Sequence, residues 1–173
     1  MTDPQIATQP TTQTTAPQNT TDVFIDFLCP FAWRGVELAA VLRAGGEAFT
    51  LRHFSLALFR ARHEHGQPLN ADTIQAAAAQ AALDPERFAA DLSDDTGLRA
   101  TLRRDLQDAA EIGVFGTPTF VLPTGEAAYY RFENLTRDPA QARAWWDLYV
   151  TLLRDGAGVA TVKRARNRPA RRA

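Results

Sequence analysis

Thiols are almost absent from this chain: among its 173 residues the only cysteine is Cys29. One cysteine cannot close an internal disulfide, so a small scaffold held together by its own disulfides is excluded. The opening segment lacks the basic start and apolar middle of a signal peptide, and export is not expected. Apolar runs are short and broken by Arg, Asp or Gly, so none has the length of a membrane-spanning helix. His53, His63 and His65 stand in no metal-binding spacing. No HExxH pattern and no paired cysteines complete a coordination sphere, and these histidines read as surface residues. No glycine-rich loop is built to cradle a phosphate, since Gly45-Gly46 is more simply a helix stop. No internal repeat is present.

The formal net charge of -1 hides an uneven distribution. Lys163, Arg164, Arg166, Arg168, Arg171 and Arg172 make a basic end without an acid, and the remainder is acidic. Short basic ends on acidic proteins are usually solvated, so neither nucleic acid nor membrane is an expected partner. The Thr-, Gln- and Pro-rich residues 1–21 cannot repay the entropy of ordering and read as a disordered arm, and residues 157–173 read as a disordered basic tail. Residues 22–156 then form one domain, whose 45% hydrophobic composition over the chain suffices for a single core.

Within that domain, Val23 to Leu28 is a β-branched and aromatic run that suits a central strand covered on both faces. It stops at Cys29-Pro30, where Pro suits the first helical position and Cys29 falls at the N-cap. The following helix carries Trp33, Val36, Ala40 and Val41 at helical spacing and ends at Gly45-Gly46 in a left-handed stop. Phe49 to Leu56 reads as a second, parallel strand, which completes a βαβ unit. A helical insert over about 60–112 follows. Asp72 and Gln75 suggest a capping box, Asp84-Pro85 a helix start, and Leu98, Leu102, Leu106 and Ala110 an apolar stripe. An antiparallel hairpin is expected from Gly113 to Leu122 and from Ala127 to Phe132 about the turn Pro123-Thr124-Gly125. The last helix opens at Asp138-Pro139, with Gln141 at its third position. It buries Trp145, Tyr149 and Leu152 and stops near Gly156.

Cys29 at a helix start is placed for chemistry. The thiolate is the nucleophile, and unpaired backbone N–H groups with the helix dipole favour that anion. The competing reading is a small buried hydrophobe at a strand end. Asp26, on a strand expected to be buried, is a candidate to shuttle the thiol's proton or to fix the turn by bonding backbone. Trp33 reads as core or as a wall beside the sulfur. Arg34 reads as a solvated helix residue or as a partner of the thiolate or of a ligand carboxylate.

The segments Phe24-Ile-Asp-Phe-Leu-Cys-Pro-Phe-Ala-Trp33 and Gly113-Val-Phe-Gly-Thr-Pro-Thr-Phe-Val121, in this order with helices between them, resemble the DsbA-like branch of the thioredoxin superfamily. Within it, the likeness is to the group of FrnE, 2-hydroxychromene-2-carboxylate isomerase and kappa-class glutathione transferase. The resemblance implies an α/β thioredoxin-like fold, βαβ then ββα about a central mixed sheet, with an inserted all-helical subdomain. It also implies a cis proline at Pro118 that brings Thr117 beside Cys29, where the Thr117 backbone can pair with an extended substrate. Cys29, Pro118, Thr117 and Asp26 are the catalytic candidates, and Pro30, Phe31, Trp33 and Gly116 the candidates for binding substrate or cofactor.

The motif reads Cys29-Pro30-Phe31-Ala32, with no second cysteine to resolve a mixed disulfide. An external thiol must therefore complete the cycle. The expected activity is monothiol thiol-disulfide exchange in the cytoplasm on a disulfide or small-thiol substrate. No cofactor is covalently bound, and glutathione or another low-molecular-weight thiol serves as co-reactant. The rival readings are a glutathione-dependent isomerase or transferase and a non-catalytic binding module. A homodimer stays open.

Overall fold

The structure, a computed structural model, describes residues 20–49, 52–153 and 158–159. The stop expected near Gly156, most of the arm and most of the basic tail lie outside the described residues. Thr21, expected in the arm, is buried. Its N–H donates to the Ala48 carbonyl at 2.9 Å, and it forms a parallel bridge with Phe49, so the folded part includes this residue.

Strand β1 spans Asp22–Phe24 and is shorter than the apolar run suggested. Asp26 ends it. Its carboxylate accepts the Leu28 N–H at 2.8 Å and its carbonyl accepts the Cys29 N–H at 3.0 Å, and this locally closed turn competes with a sheet ladder. Helix α1, Pro30–Ala44, starts on Cys29 as N-cap with Pro30 in its first turn. At its end Gly46, with φ +102°, adopts the left-handed conformation, whereas Gly45 does not. Almost the whole circumference of α1 is covered: Ala32, Gly35, Val36, Glu37, Leu38, Ala39 and Leu42 are buried, and Trp33, Ala40 and Val41 are half-buried.

The expected strand over Phe49–Leu56 is the clearest departure. Its parallel pairing is seen as the Thr21–Phe49 bridge, and helix α2 already occupies His53–His63. The apolar residues Phe54, Ala57, Leu58 and Ala61 recur at helical rather than alternating intervals, and Ala57, Leu58 and Ala61 are buried together with Phe59. The helical segment therefore begins ahead of residue 60. It continues through α3, Ala71–Gln80, α4, Pro85–Ser93, and α5, Asp95–Ile112. Asn70 caps α3 by accepting the Thr73 N–H at 3.0 Å, which replaces the expected Asp72/Gln75 box. Asp84 caps α4 as expected. The leucine stripe of α5 exists but faces outward, with Leu106 61% exposed, because no buried residue fastens this helix to the body.

Strands β2, Thr119–Val121, and β3, Ala127–Tyr129, form the expected antiparallel hairpin, and β2 also pairs antiparallel with β1. With the bridge at Phe49, the spatial order is Phe49, β1, β2, β3. Helix α6, Pro139–Leu153, opens where Asp138 accepts the Gln141 N–H at 2.8 Å. It buries Trp146 and Tyr149, while Trp145 and Leu152 are only partly covered. The Tyr149 hydroxyl donates to the Phe120 carbonyl at 2.9 Å, and burial pushes its pKa up. Leu38, Leu42, Phe49, Phe120, Phe132 and Trp146 form the main core between α1, the sheet and α6.

One charge lies inside this frame. Glu37 on α1 has a side chain 1% exposed. It accepts two hydrogen bonds from Arg60 on α2, at 2.6 and 2.8 Å, and two from Arg137, at 3.2 and 3.0 Å. Arg137 also reaches Glu64 at 2.6 Å, so α1, α2 and the approach to α6 share one ionic knot. Burial alone would raise the Glu37 pKa, but the hydrogen bonds and charges of the two arginines outweigh it and bring it from 4.5 to about 2. A depressed carboxyl contributes stability above its unfolded pKa and loses it as pH falls through the folded one.

Glu37→Gln therefore costs about 3 kcal/mol at pH 7 by urea unfolding, the order expected when one partner of a buried ion pair is removed. The gap from wild type narrows as the pH is lowered from about 5 toward about 2, because wild type loses the same contribution.

Candidate functional site

The site forms where the start of α1 meets the segment leading into β2. The Cys29 thiol makes no cap to its own helix. Instead it donates to the Thr117 carbonyl at 3.3 Å, across 88 residues of sequence. Cys29 is half-buried. It packs against the small cluster of Ala32, Val36 and Phe59, which also receives Ile25, Phe27, Trp33 and Leu56. The sulfur therefore lies at the margin of an apolar cluster.

The Thr117–Pro118 peptide is cis. Pro118 is fully buried, and its ring rests on α1 at Gly35, where a Cβ would stand 2.8 Å from the proline Cγ and 3.2 Å from Phe120. Only a glycine lets the turn approach the helix this closely. On its other side, the Pro118 carbonyl accepts the Tyr130 N–H at 3.3 Å. Gly116 closes the turn: its carbonyl accepts the Thr119 hydroxyl at 2.7 Å, and a Cβ there would stand 3.1 Å from the Tyr129 ring. Turn, hairpin and helix thus fix one another around the sulfur.

Phe31 and Trp33 flank the first turn of α1. Phe31 lies beneath the Arg131 guanidinium, 3.4 Å from the ring centroid, with the Arg34 guanidinium at 5.3 Å. Trp33 stacks on His63, with centroids 5.7 Å apart, and donates from Nε1 to Glu37 at 3.4 Å. His63 Nε2 lies 2.8 Å from the Phe27 carbonyl. A carbonyl only accepts, so this nitrogen carries the proton and holds the turn that precedes Cys29.

The structure thus brings together Cys29, Thr117, Pro118 and Gly116, with Phe31 and Trp33 beside them and Pro30 exposed at the first helical position. Three expectations change. Asp26 is exposed rather than buried: β1 ends before it, and its carboxylate is engaged by the Leu28 N–H, so it shapes the turn. Arg34 is half-buried and bonds no sulfur, since its Nη1 donates to the carbonyls of Phe132 and Glu133 at 3.2 and 2.7 Å. His63 is a half-buried member of the turn's support rather than a free surface residue.

Sequence reasoning did not single out Gly35, Glu37 or Arg131, and it took His63 for a surface residue. Gly35 carried a usable signal, because glycine within a helix is unfavourable unless something must come close. The other three are ordinary polar residues whose partners are distant in sequence. Two surface cavities, of about 400 and 590 Å³, lie elsewhere: one between Gly46–Ala48 and α6, the other between α3 and α4. Neither is lined by Cys29. Among the described residues no cluster of His, Cys, Asp and Glu is arranged to hold a metal, and no helix is long and apolar enough to cross a membrane.

In comparisons with known proteins, the model of the DSBA-like thioredoxin domain matches residues 36–138, a stretch that contains the Thr117–Pro118 turn and begins after Cys29. No curated protein matches the chain.

Gly35→Ala tests the packing that holds the turn. Alanine favours a helix over glycine by about 0.5–1 kcal/mol, yet here its methyl group displaces Pro118, and overpacking of this kind costs about 1–3 kcal/mol. The expected result is a net loss in thermal stability together with slower reaction of Cys29 with disulfides. A gain in stability with unchanged reactivity would show that the turn does not bear on Gly35.

Proposed function

The chain belongs to the DSBA-like thioredoxin domain family, and from that premise we propose that it is a monothiol thiol-disulfide exchange enzyme whose nucleophile is Cys29. The observation that supports this reading is the 3.3 Å approach of the Cys29 sulfur, at the head of α1, to the Thr117 carbonyl next to the cis proline. The alternative of an inert core cysteine would require a sealed sulfur with no polar neighbour, whereas Cys29 is half-buried and hydrogen-bonded.

In the first step, the Cys29 thiolate attacks one sulfur of a substrate disulfide. A bond forms between Cys29 Sγ and that sulfur, the substrate S–S bond breaks, and the other sulfur leaves as a thiolate. No second cysteine exists to attack this mixed disulfide. A small thiol such as glutathione, acting as its thiolate, attacks the substrate sulfur of the intermediate. It forms a new disulfide with that sulfur and releases the Cys29 thiolate. The net result is exchange, with no oxidant consumed. The Thr117 backbone orients the incoming chain as a short added strand. A cytoplasmic setting, rich in reduced small thiols, suits a cycle that needs an external resolving thiol.

The test is turnover of hydroxyethyl disulfide with glutathione, read by coupled consumption of the oxidised product. Wild type turns over, and intact-mass analysis of the reaction shows one mixed disulfide on Cys29. Cys29→Ser lowers turnover by at least about a hundredfold, the scale typical for loss of a nucleophile. Activity that survived this substitution would transfer the chemistry to the bound thiol itself, as in the isomerase or transferase reading. Absence of turnover in wild type would favour a binding module.

A further inference from the structure

We infer that Arg131, seated on Phe31 beside Cys29, is the anion subsite of this enzyme and selects carboxylate-bearing small disulfides over neutral or cationic ones. The inference deepens the exchange reading and depends on it.

Three independent anchors fix Arg131. The preceding residue, Tyr130, donates its N–H to the Pro118 carbonyl, which follows directly on the Thr117 carbonyl facing the sulfur. The following residues, Phe132 and Glu133, have their carbonyls held by Arg34 from α1, and the Phe132 side chain is buried in the main core. The guanidinium itself lies 3.4 Å above the ring of Phe31, a residue of the same first turn as Cys29. Two routes through the chain, one along the proline turn and one along the helix, therefore tie this cation to the two segments that meet at the Cys29 sulfur.

The chemistry left over is recognition. Among the described residues Arg131 makes no ion pair, in contrast to Arg60, Arg99, Arg137 and Arg143, each of which meets a carboxylate. Arg131 is exposed with its Cζ over the Phe31 ring, and a guanidinium over an aromatic face keeps its N–H edge available for the two-pronged bonding of a carboxylate. The guanidinium of Arg34, 5.3 Å from the same ring, adds positive charge, with its Nη1 committed to the Phe132 and Glu133 carbonyls. Of the acids close in sequence to these segments, Asp26 has its carboxylate engaged by the Leu28 N–H, and Glu133 stands two residues after Arg131. A substrate whose disulfide sits at Cys29 and whose carboxylate lies a few atoms away would engage both the sulfur and the fork. A glutathione-type disulfide has that arrangement, and hydroxyethyl disulfide and cystamine do not.

The experiment compares single-turnover rates of mixed-disulfide formation on Cys29, by quench and intact mass, with glutathione disulfide, hydroxyethyl disulfide and cystamine. Arg131→Gln slows reaction with glutathione disulfide about fivefold, the upper scale for one exposed charge pair, and leaves the rate with hydroxyethyl disulfide unchanged. Reaction with cystamine is unchanged or faster. Arg131→Lys, which keeps the charge, restores at least half of the lost rate, and Arg104→Gln on α5 alters none of the three. Added salt shrinks the wild-type preference and not that of Arg131→Gln. Equal slowing of all three probes, or no slowing, would overturn the subsite while leaving exchange at Cys29 intact. Failure of wild-type Cys29 to react with even the neutral probe would overturn the exchange reading and the subsite with it.

Discussion

The contact between the Cys29 thiol and the Thr117 carbonyl is the constraint to which the rest of the molecule is fitted. It joins the only cysteine, at the head of α1, to a proline turn far along the chain, and each side needs its own support. On the helix side, the Asp26 turn and the His63 bond to the Phe27 carbonyl fix the approach to Cys29. On the turn side, Gly35 admits the Pro118 ring, and Tyr130 holds its carbonyl. A sulfur displaced by a methyl group's width would lose the carbonyl.

The charged knot around Glu37 has a positioning part in this arrangement. A buried carboxylate is costly, and here its compensation comes from Arg60 and Arg137, reached from separate elements. Trp33 donates to the same carboxylate and stacks on His63, so the knot extends by direct contact to the support of the turn that precedes Cys29. Helix α5 stands at the other extreme. Its leucines are exposed and it buries no residue, so it contributes little to holding the site.

Much of this was legible in the sequence, and what was legible had local causes. Cys29-Pro30 marks a helix start because proline tolerates the first turn, and Asp84 and Asp138 mark two more because their carboxylates cap free N–H groups. The hairpin about Gly125 was likewise written in its turn residues. The misread segments share another cause. Val23 to Leu28 looked like one strand, but a single Asp side chain folds its second half into a turn. The stretch after Phe49 has strand-like composition and helical spacing, and tertiary burial of Ala57, Leu58 and Phe59 decides for the helix. Glu37, His63 and Arg131 acquire meaning only from partners that folding brings close. No periodicity announces such residues.

A crystal structure of the protein with glutathione trapped on Cys29 as a mixed disulfide would examine the central contact directly. The expected density runs unbroken from the Cys29 sulfur into the tripeptide, whose cysteinyl backbone lies along Thr117. A tripeptide directed away from the Pro118 turn, or a cysteine that can be trapped only after unfolding, would contradict the proposed role of this contact.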